Sequence, residues 1–175
     1  PHQERGDVAM QQHNKGQLIV PTGGGKTLNM ITDTVRQFQS QTLQTIVVVA
    51  PRLLLANQLC SDFLEHVDNA NVLHVHSGDT KHFKTTKADR INLFVSMCHT
   101  VREHVIIFTT YHSLHRIVES GIDIDTIYFD EAHNSVQRHF FKSTDVLSKK
   151  ADRAFFFTAT RKTSTVTHKP GMNWD

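Results

Sequence analysis

Apolar runs separated by polar turns divide the chain into alternating short strands and amphipathic helices. Gln17-Leu18-Ile19-Val20 reads as a short buried strand. Leu28, Met30, Ile31 and Val35 then recur at helical spacing, which predicts a helix running to about Ser40. Thr45-Ile46-Val47-Val48-Val49-Ala50 is β-branched and apolar throughout, the sign of a strand buried on both faces, and Pro51 ends it. Leu53, Leu54, Leu55, Leu59, Phe63 and Leu64 give the next helix. Asn71 to His76 alternates as a third strand and closes on Ser77-Gly78-Asp79. The polar stretch Thr80 to Arg90 is either an exposed loop or a solvated helix, and Ile91 to Val95 reads as a short strand. Strands follow at Val105 to Phe108, Thr126 to Phe129 and Ala154 to Phe157. Between them lie helices through Leu114, Ile117 and Val118 to Gly121, and from about Phe140 to Ser148. Val8, Ala9 and Met10 suggest a short helix before the first strand.

Strands alternating with helices predict an α/β fold: three αβα layers around a mainly parallel sheet. Such sheets bind ligands outside the carboxyl ends of their strands. Five polar groups sit there in the sequence. They are the Lys26 loop, Arg52, Thr109-Thr110, Asp130-Glu131 and Thr158-Ala159-Thr160, each directly after a predicted strand.

Composition narrows the function classes. The 175 residues suffice for one domain with a sizeable core, and 38% apolar with 21% charged residues is globular. A formal net charge of +2 argues for no whole-surface attraction to nucleic acid, so any such site is local. Cys60 and Cys98 have no metal spacing and suggest no disulfide framework, which fits a reducing, intracellular setting. The 13 histidines scatter without a ligand pattern and read mostly as surface and loop residues. No apolar run is long enough to span a bilayer and no signal peptide is evident. The first residue is Pro1, which suggests an excised or processed chain.

Pro21-Thr22-Gly23-Gly24-Gly25-Lys26-Thr27 lies between a predicted strand and a predicted helix. The glycines let successive backbone N–H groups turn inward at a positively polarised helix start, an anion nest. From that junction Lys26 can reach nucleotide phosphates, and Thr27 can place its hydroxyl on Mg²⁺. The strict pattern has a glycine five residues before Gly25, where Val20 stands. Asp130 and Glu131 end a later apolar strand, one suited to the metal and the other to orienting or deprotonating water. An ordinary glycine turn and an ordinary acidic turn are the plain alternatives. The two together favour nucleotide hydrolysis.

Five stretches stand in a shared order: 21–27, Ala50-Pro51-Arg52-Leu53-Leu54-Leu55-Ala56-Asn57-Gln58, Thr109-Thr110-Tyr111-His112-Ser113-Leu114, Asp130-Glu131-Ala132-His133 and Thr158-Ala159-Thr160. The set resembles the first RecA-like domain of superfamily 2 helicases and translocases over nearly the whole chain. Within that superfamily it looks most like the restriction-enzyme and DNA-repair translocase branch, because RNA-directed branches usually carry Ser-Ala-Thr.

The resemblance implies a RecA-like P-loop domain that binds ATP and Mg²⁺. It implies an adenine-reading role for Gln3, whose carboxamide can donate and accept; a surface glutamine on a frayed end is the alternative. It further implies nucleic-acid contacts, DNA before RNA, from Arg52, Gln58, Thr109 and Thr110. Thr158 and Thr160 would couple hydrolysis to movement, with His133 as relay. Residues 1–160 would form the ATP-binding domain and 161–175 a tail or the start of an inter-domain linker. The family's second RecA-like domain, which brings an arginine finger, has no room in this chain. The chain is therefore expected to be a monomeric half-motor that binds ATP and barely hydrolyses it. A non-catalytic scaffold module, or a phosphate-loop ATPase that does not act on nucleic acid, is the competing expectation.

Overall fold

The computed structural model describes residues 2–21, 25–40, 42–136 and 139–159. In chain order the elements are α1 (His2–Gln12), β1 (Lys15–Ile19), α2 (Lys26–Phe38), β2 (Thr45–Ala50), α3 (Leu53–Leu64), β3 (Ala70–Val75), β4 (Phe83–Lys84), α4 (Ala88–Thr100), β5 (His104–Thr110), α5 (Leu114–Ser120), β6 (Thr126–Phe129), α6 (Phe141–Lys150) and β7 (Arg153–Thr158). Single 3₁₀ turns occupy Tyr111–Ser113 and Ala132–Val136.

Every residue of β2 is buried, and its alternation sorts the core into two layers. Val47 and Val49 face one side with residues of α4, α5 and α6. Ile46 and Val48 face the other with residues of α1, α2 and α3. The expected αβα sandwich is therefore present. The sheet has seven strands in the order β1-β7-β6-β2-β5-β3-β4, and every adjacent pair is parallel. Parallel pairing forces each connection to cross a face, which puts the turns after the strands along one edge.

The order places β1 beside β7 and β7 beside β6. The turns after these strands carry Lys26, Thr158 and Asp130, so residues far apart in sequence meet at the carboxyl edge. A buried ion pair secures the opposite, amino end of β7. Arg153 at the start of β7 donates to both carboxylate oxygens of Asp33 on α2, at 2.7 and 2.8 Å, and to the Met10 carbonyl oxygen at 2.8 Å. The Tyr128 hydroxyl donates to Asp33 as well. α1 lies close on α2: a Cβ added at Gly6 would come within 2.5 Å of the buried Asn29 side chain.

One expectation needs correction. Ile91 to Val95 is part of α4, not a strand: Ile91, Val95 and Cys98 are its buried residues and repeat at helical spacing. Among the histidines, His74 and His76 are buried on and just after β3. The polar stretch before α4 contains the two-residue edge strand β4 and the first turn of that helix.

Candidate active site

α2 begins at Lys26 directly after Gly25, whose φ of 88° is left-handed and open to glycine without strain. This turn aims the lysine back over the ends of β7 and β6. The Lys26 ammonium lies 2.9 Å from Asp130 Oδ1 and also donates to Glu131 Oε1. Asp130 is 3% exposed. Burial raises its carboxyl above the usual range while the Lys26 charge pulls it back down. Burial lowers and the two carboxylates raise the Lys26 ammonium, which ends above its ordinary value. The angle of approach leaves Asp130 Oδ1 without an aligned hydrogen-bond donor, so this buried oxygen retains acceptor capacity.

Glu131 has a left-handed φ of 49°, uncommon for a residue with a side chain. The twist turns its carboxylate out of the sheet into the cleft, where it is half-exposed. Asn134 steadies it, donating its backbone N–H and Nδ2 to the Glu131 carbonyl oxygen at 3.0 Å each. His133 Nδ1 stands 4.0 Å from Glu131 Oε2. The cleft in front of these groups has a volume of about 580 Å³, and Thr27, Arg52, Gln58 and Asp62 also line it.

Gln3 lies against the loop: a Cβ added at Gly25 would sit 3.5 Å from Gln3 Oε1. The buried Asn29 carboxamide can donate to the Gln3 carbonyl oxygen at 2.8 Å and to Asp7 Oδ1 at 3.0 Å, which ties α1 to the phosphate-loop helix. Gln3 is therefore anchored rather than frayed.

A second cleft of about 500 Å³ adjoins the first along the same edge. Arg52 lines both clefts. Thr110 lines the second with His76, Ser77, His112 and Ser113. Thr109 does not: it is fully buried and donates its hydroxyl to the Val75 carbonyl oxygen at 2.8 Å. Gln58, expected beside Arg52 on the nucleic-acid side, lines the first cleft instead. Thr158 is buried at the end of β7, where its carbonyl oxygen accepts the Val20 N–H at 2.9 Å. Thr22, Gly23, Gly24 and Thr160 lie outside the described residues.

Sequence reasoning missed Asn134, Asp62, His76 and His112, whose neighbours in space come from other elements. It also missed Tyr111, whose hydroxyl donates to the Asp130 carbonyl oxygen at 2.8 Å. Only the position of Tyr111 directly after Thr110 could have drawn attention to it.

A parallel sheet that sets a lysine at a helix start against an acidic pair two strands away defines a RecA-like domain of the superfamily 2 helicase type. The family model described as type III restriction enzyme, res subunit, matches residues 3–163, and the chain belongs to that family.

Among solved structures it is similar to a nuclease-deletion mutant of the Type ISP restriction-modification enzyme LlaGI in complex with a DNA substrate mimic. The TM-score is 0.77 at 20% identity, over 94% of this chain and 18% of that one. It is similar to the ATP-dependent Type ISP restriction-modification enzyme LlaBIII bound to DNA, with a TM-score of 0.74 at 18% identity, over 93% and 13%. The Pyrococcus furiosus Hef helicase domain gives 0.68 at 18% identity, over 94% and 33%. At these identities the likeness establishes the fold. The chain spans less than a fifth of the length of the two restriction enzymes. No curated protein matches the chain.

Proposed function

We propose that this chain is the ATP-binding part of a DNA translocase or helicase, coupling ATP hydrolysis to movement on nucleic acid. The observation that carries the reading is the contact of Lys26 with both Asp130 and Glu131 at the mouth of a cleft. The lysine fills the place of a cation between the two carboxylates. Nucleotide binding exchanges those carboxylates for phosphate oxygens on Lys26.

The residues fit Mg²⁺: the buried Asp130 Oδ1 retains acceptor capacity, and the Thr27 hydroxyl lines the same cleft. When bound, the metal neutralises charge on the phosphate oxygens. Lys26 and the backbone of the glycine loop hold the β- and γ-phosphates, and Gln3 meets the adenine. Glu131, released from Lys26, takes the proton of the attacking water. Asn134 holds the Glu131 backbone in its outward turn, and His133 relays between Glu131 and the nucleic-acid side.

Arg52 and Thr110 contact the phosphate backbone of DNA in the second cleft, with weaker binding at higher salt and little dependence on sequence. Thr158 and Thr160 couple hydrolysis to movement. An arginine finger raises phosphoryl transfer by about 10³–10⁵-fold, and a second RecA-like domain of a longer parent protein would supply it. Residues 1–175 by themselves then bind Mg·ATP as a monomer and turn it over slowly.

The test is calorimetric titration of Mg·ATP into residues 1–175, followed by phosphate release with and without single-stranded and duplex DNA. Lys26→Ala should weaken Mg·ATP binding by about 10- to 100-fold, the loss of a charged hydrogen bond. Unchanged affinity would overturn the phosphate site. Robust DNA-stimulated release by the monomer would overturn the need for a second domain.

A further inference from the structure

On the α1–α3 face of the sheet, toward its β4 edge, three metal-ligating side chains converge from separate elements. Cys60 is on α3, His74 on β3 and His82 in the turn before β4. One ligand atom from each lies within 4.8 Å of the other two, the one such cluster found among the described residues. None of the three lines the cleft in front of Lys26.

The cluster has an unmet requirement at its centre. His74 is fully buried, and its Nε2 has no hydrogen-bond partner. Its other nitrogen is engaged: His74 Nδ1 lies 2.9 Å from His76 Nε2, and His76 Nδ1 accepts the Gly78 N–H at 3.1 Å. A buried polar atom without a partner forfeits its hydration with nothing in return. Most such atoms in folded proteins are satisfied. Phe108 stacks on the same imidazole with ring centroids 5.5 Å apart, so the apolar sheet face does not satisfy it.

We propose that Cys60, His74 and His82 form a binding site for a thiophilic divalent cation, Zn²⁺ first, with a fourth position left to water. A thiolate with two imidazoles suits zinc, whereas Mg²⁺ prefers oxygen ligands. Tetrahedral zinc with ordinary bond lengths sets its N and S ligand atoms about 3.4–3.6 Å apart. The three atoms therefore close in on binding. His82 can supply the movement, because it is half-buried in an irregular turn and its ring lies parallel to that of His74, 7° between planes.

The cation takes the place of the thiol proton of Cys60, which is released to solvent. On His74 it occupies Nε2, so Nδ1 carries the ring proton and donates it to His76 Nε2. His76 serves as the outer partner that fixes the ring orientation. His76 then holds its own proton on Nδ1 and releases the Gly78 N–H to solvent at the turn. The bound ion joins α3, β3 and the turn leading to the edge strand β4.

The experiment strips residues 1–175 with a chelator and titrates Zn²⁺ calorimetrically, with thermal unfolding and Co²⁺ absorption as companion readouts. The expected result is one ion per chain, a raised Tm, and a thiolate-to-cobalt charge-transfer band. His82→Ala and Cys60→Ser should each weaken Zn²⁺ binding by at least about 10-fold, the lower end of what loss of an outer-sphere partner costs. Cys60→Ser should also abolish the charge-transfer band. Cys98→Ser, a buried thiol outside the cluster, should change neither readout. Absence of stoichiometric binding, or unchanged affinity in His82→Ala, overturns the site and assigns any uptake to histidines elsewhere. Should Cys60→Ser fail to fold, His82→Ala decides, since its side chain is half-buried in a turn.

Discussion

The Tyr111 hydroxyl donates to the backbone carbonyl oxygen of Asp130 across the end of β2, at 2.8 Å. Tyr111 follows Thr110 of the second cleft, and Asp130 is the acid that Lys26 pairs with in the first. One hydrogen bond therefore joins the two clefts at backbone level. Burial, with the neighbouring carboxylates adding to it, pushes the Tyr111 phenol well above its ordinary pKa, so it remains a donor throughout the working pH range.

Tyr111→Phe leaves the Asp130 carbonyl oxygen without this donor at a buried site. Stability should fall by about 1 kcal/mol, within the 0.5–1.5 expected of a single hydrogen bond. Urea unfolding measures it. Under the proposed function, with a second RecA-like domain supplied, DNA should stimulate phosphate release less in this variant, while Mg·ATP affinity changes little. Equal stimulation in variant and parent would show that the bond carries packing and no coupling.

Glu131→Gln removes one of the two charges that hold Lys26. Mg·ATP affinity should hold steady or tighten, because the lysine has less to give up. Turnover should fall by about 10²–10⁴-fold, the usual contribution of a positioned general base. Calorimetry, and single-turnover phosphate release with the proposed second RecA-like domain supplied, separate the two effects.

Asp33→Ala strands the Arg153 guanidinium in the interior, where Asp33 meets it through both carboxylate oxygens. Breaking one side of a buried pair costs about 3–5 kcal/mol. The denaturation midpoint should drop accordingly. Asp33→Asn, which keeps shape and acceptor capacity for Tyr128 and Arg153, should recover part of the loss.

His104 makes the fold sensitive to acid. Burial, with the nearby His99 adding to it, holds its imidazole below the ordinary value, although the Phe38 backbone and Asp125 offset part of this. Its Nδ1 accepts the Gln44 N–H at 3.0 Å, and its ring stacks on Phe38 at 4.1 Å. The unfolded chain protonates first as pH drops. The stabilisation is thus complete above an unfolded-state pKa of about 6.5 and is lost as pH falls toward the lower folded-state value. His104→Phe keeps the stack and should flatten this part of the stability–pH curve from a lower plateau.

The sequence carried most of the sheet because its central strands are buried on both faces. β2 and β6 occupy the residues that their continuous apolar runs mark. α4 misled because Ile91, Leu93, Phe94 and Val95 crowd into five positions, where strand and helix patterns overlap. Its register becomes clear only with Cys98, a full two turns on. Lys26, Asp130 and Glu131 were legible because each follows a strand within a recognisable motif. Thr109 and Thr110 were not separable, since adjacent strand residues face opposite sides and only the fold shows which side is the cleft. The Asp33–Arg153 pair and the Cys60–His74–His82 cluster have no sequence spacing at all. They exist because the strand order brings distant segments together.

The place of β1 beside β7 has a consequence for how the protein is made. Lys15 pairs with Ala154, and Ile19 with Thr158. Among the described strands β1 has β7 as its neighbour, so it leaves the ribosome well before that partner is made. Contacts this far apart in the chain form slowly, because a long loop must close before they return any stabilisation. Until then Lys26, at the start of α2, lacks the sheet that sets it against Asp130 and Glu131.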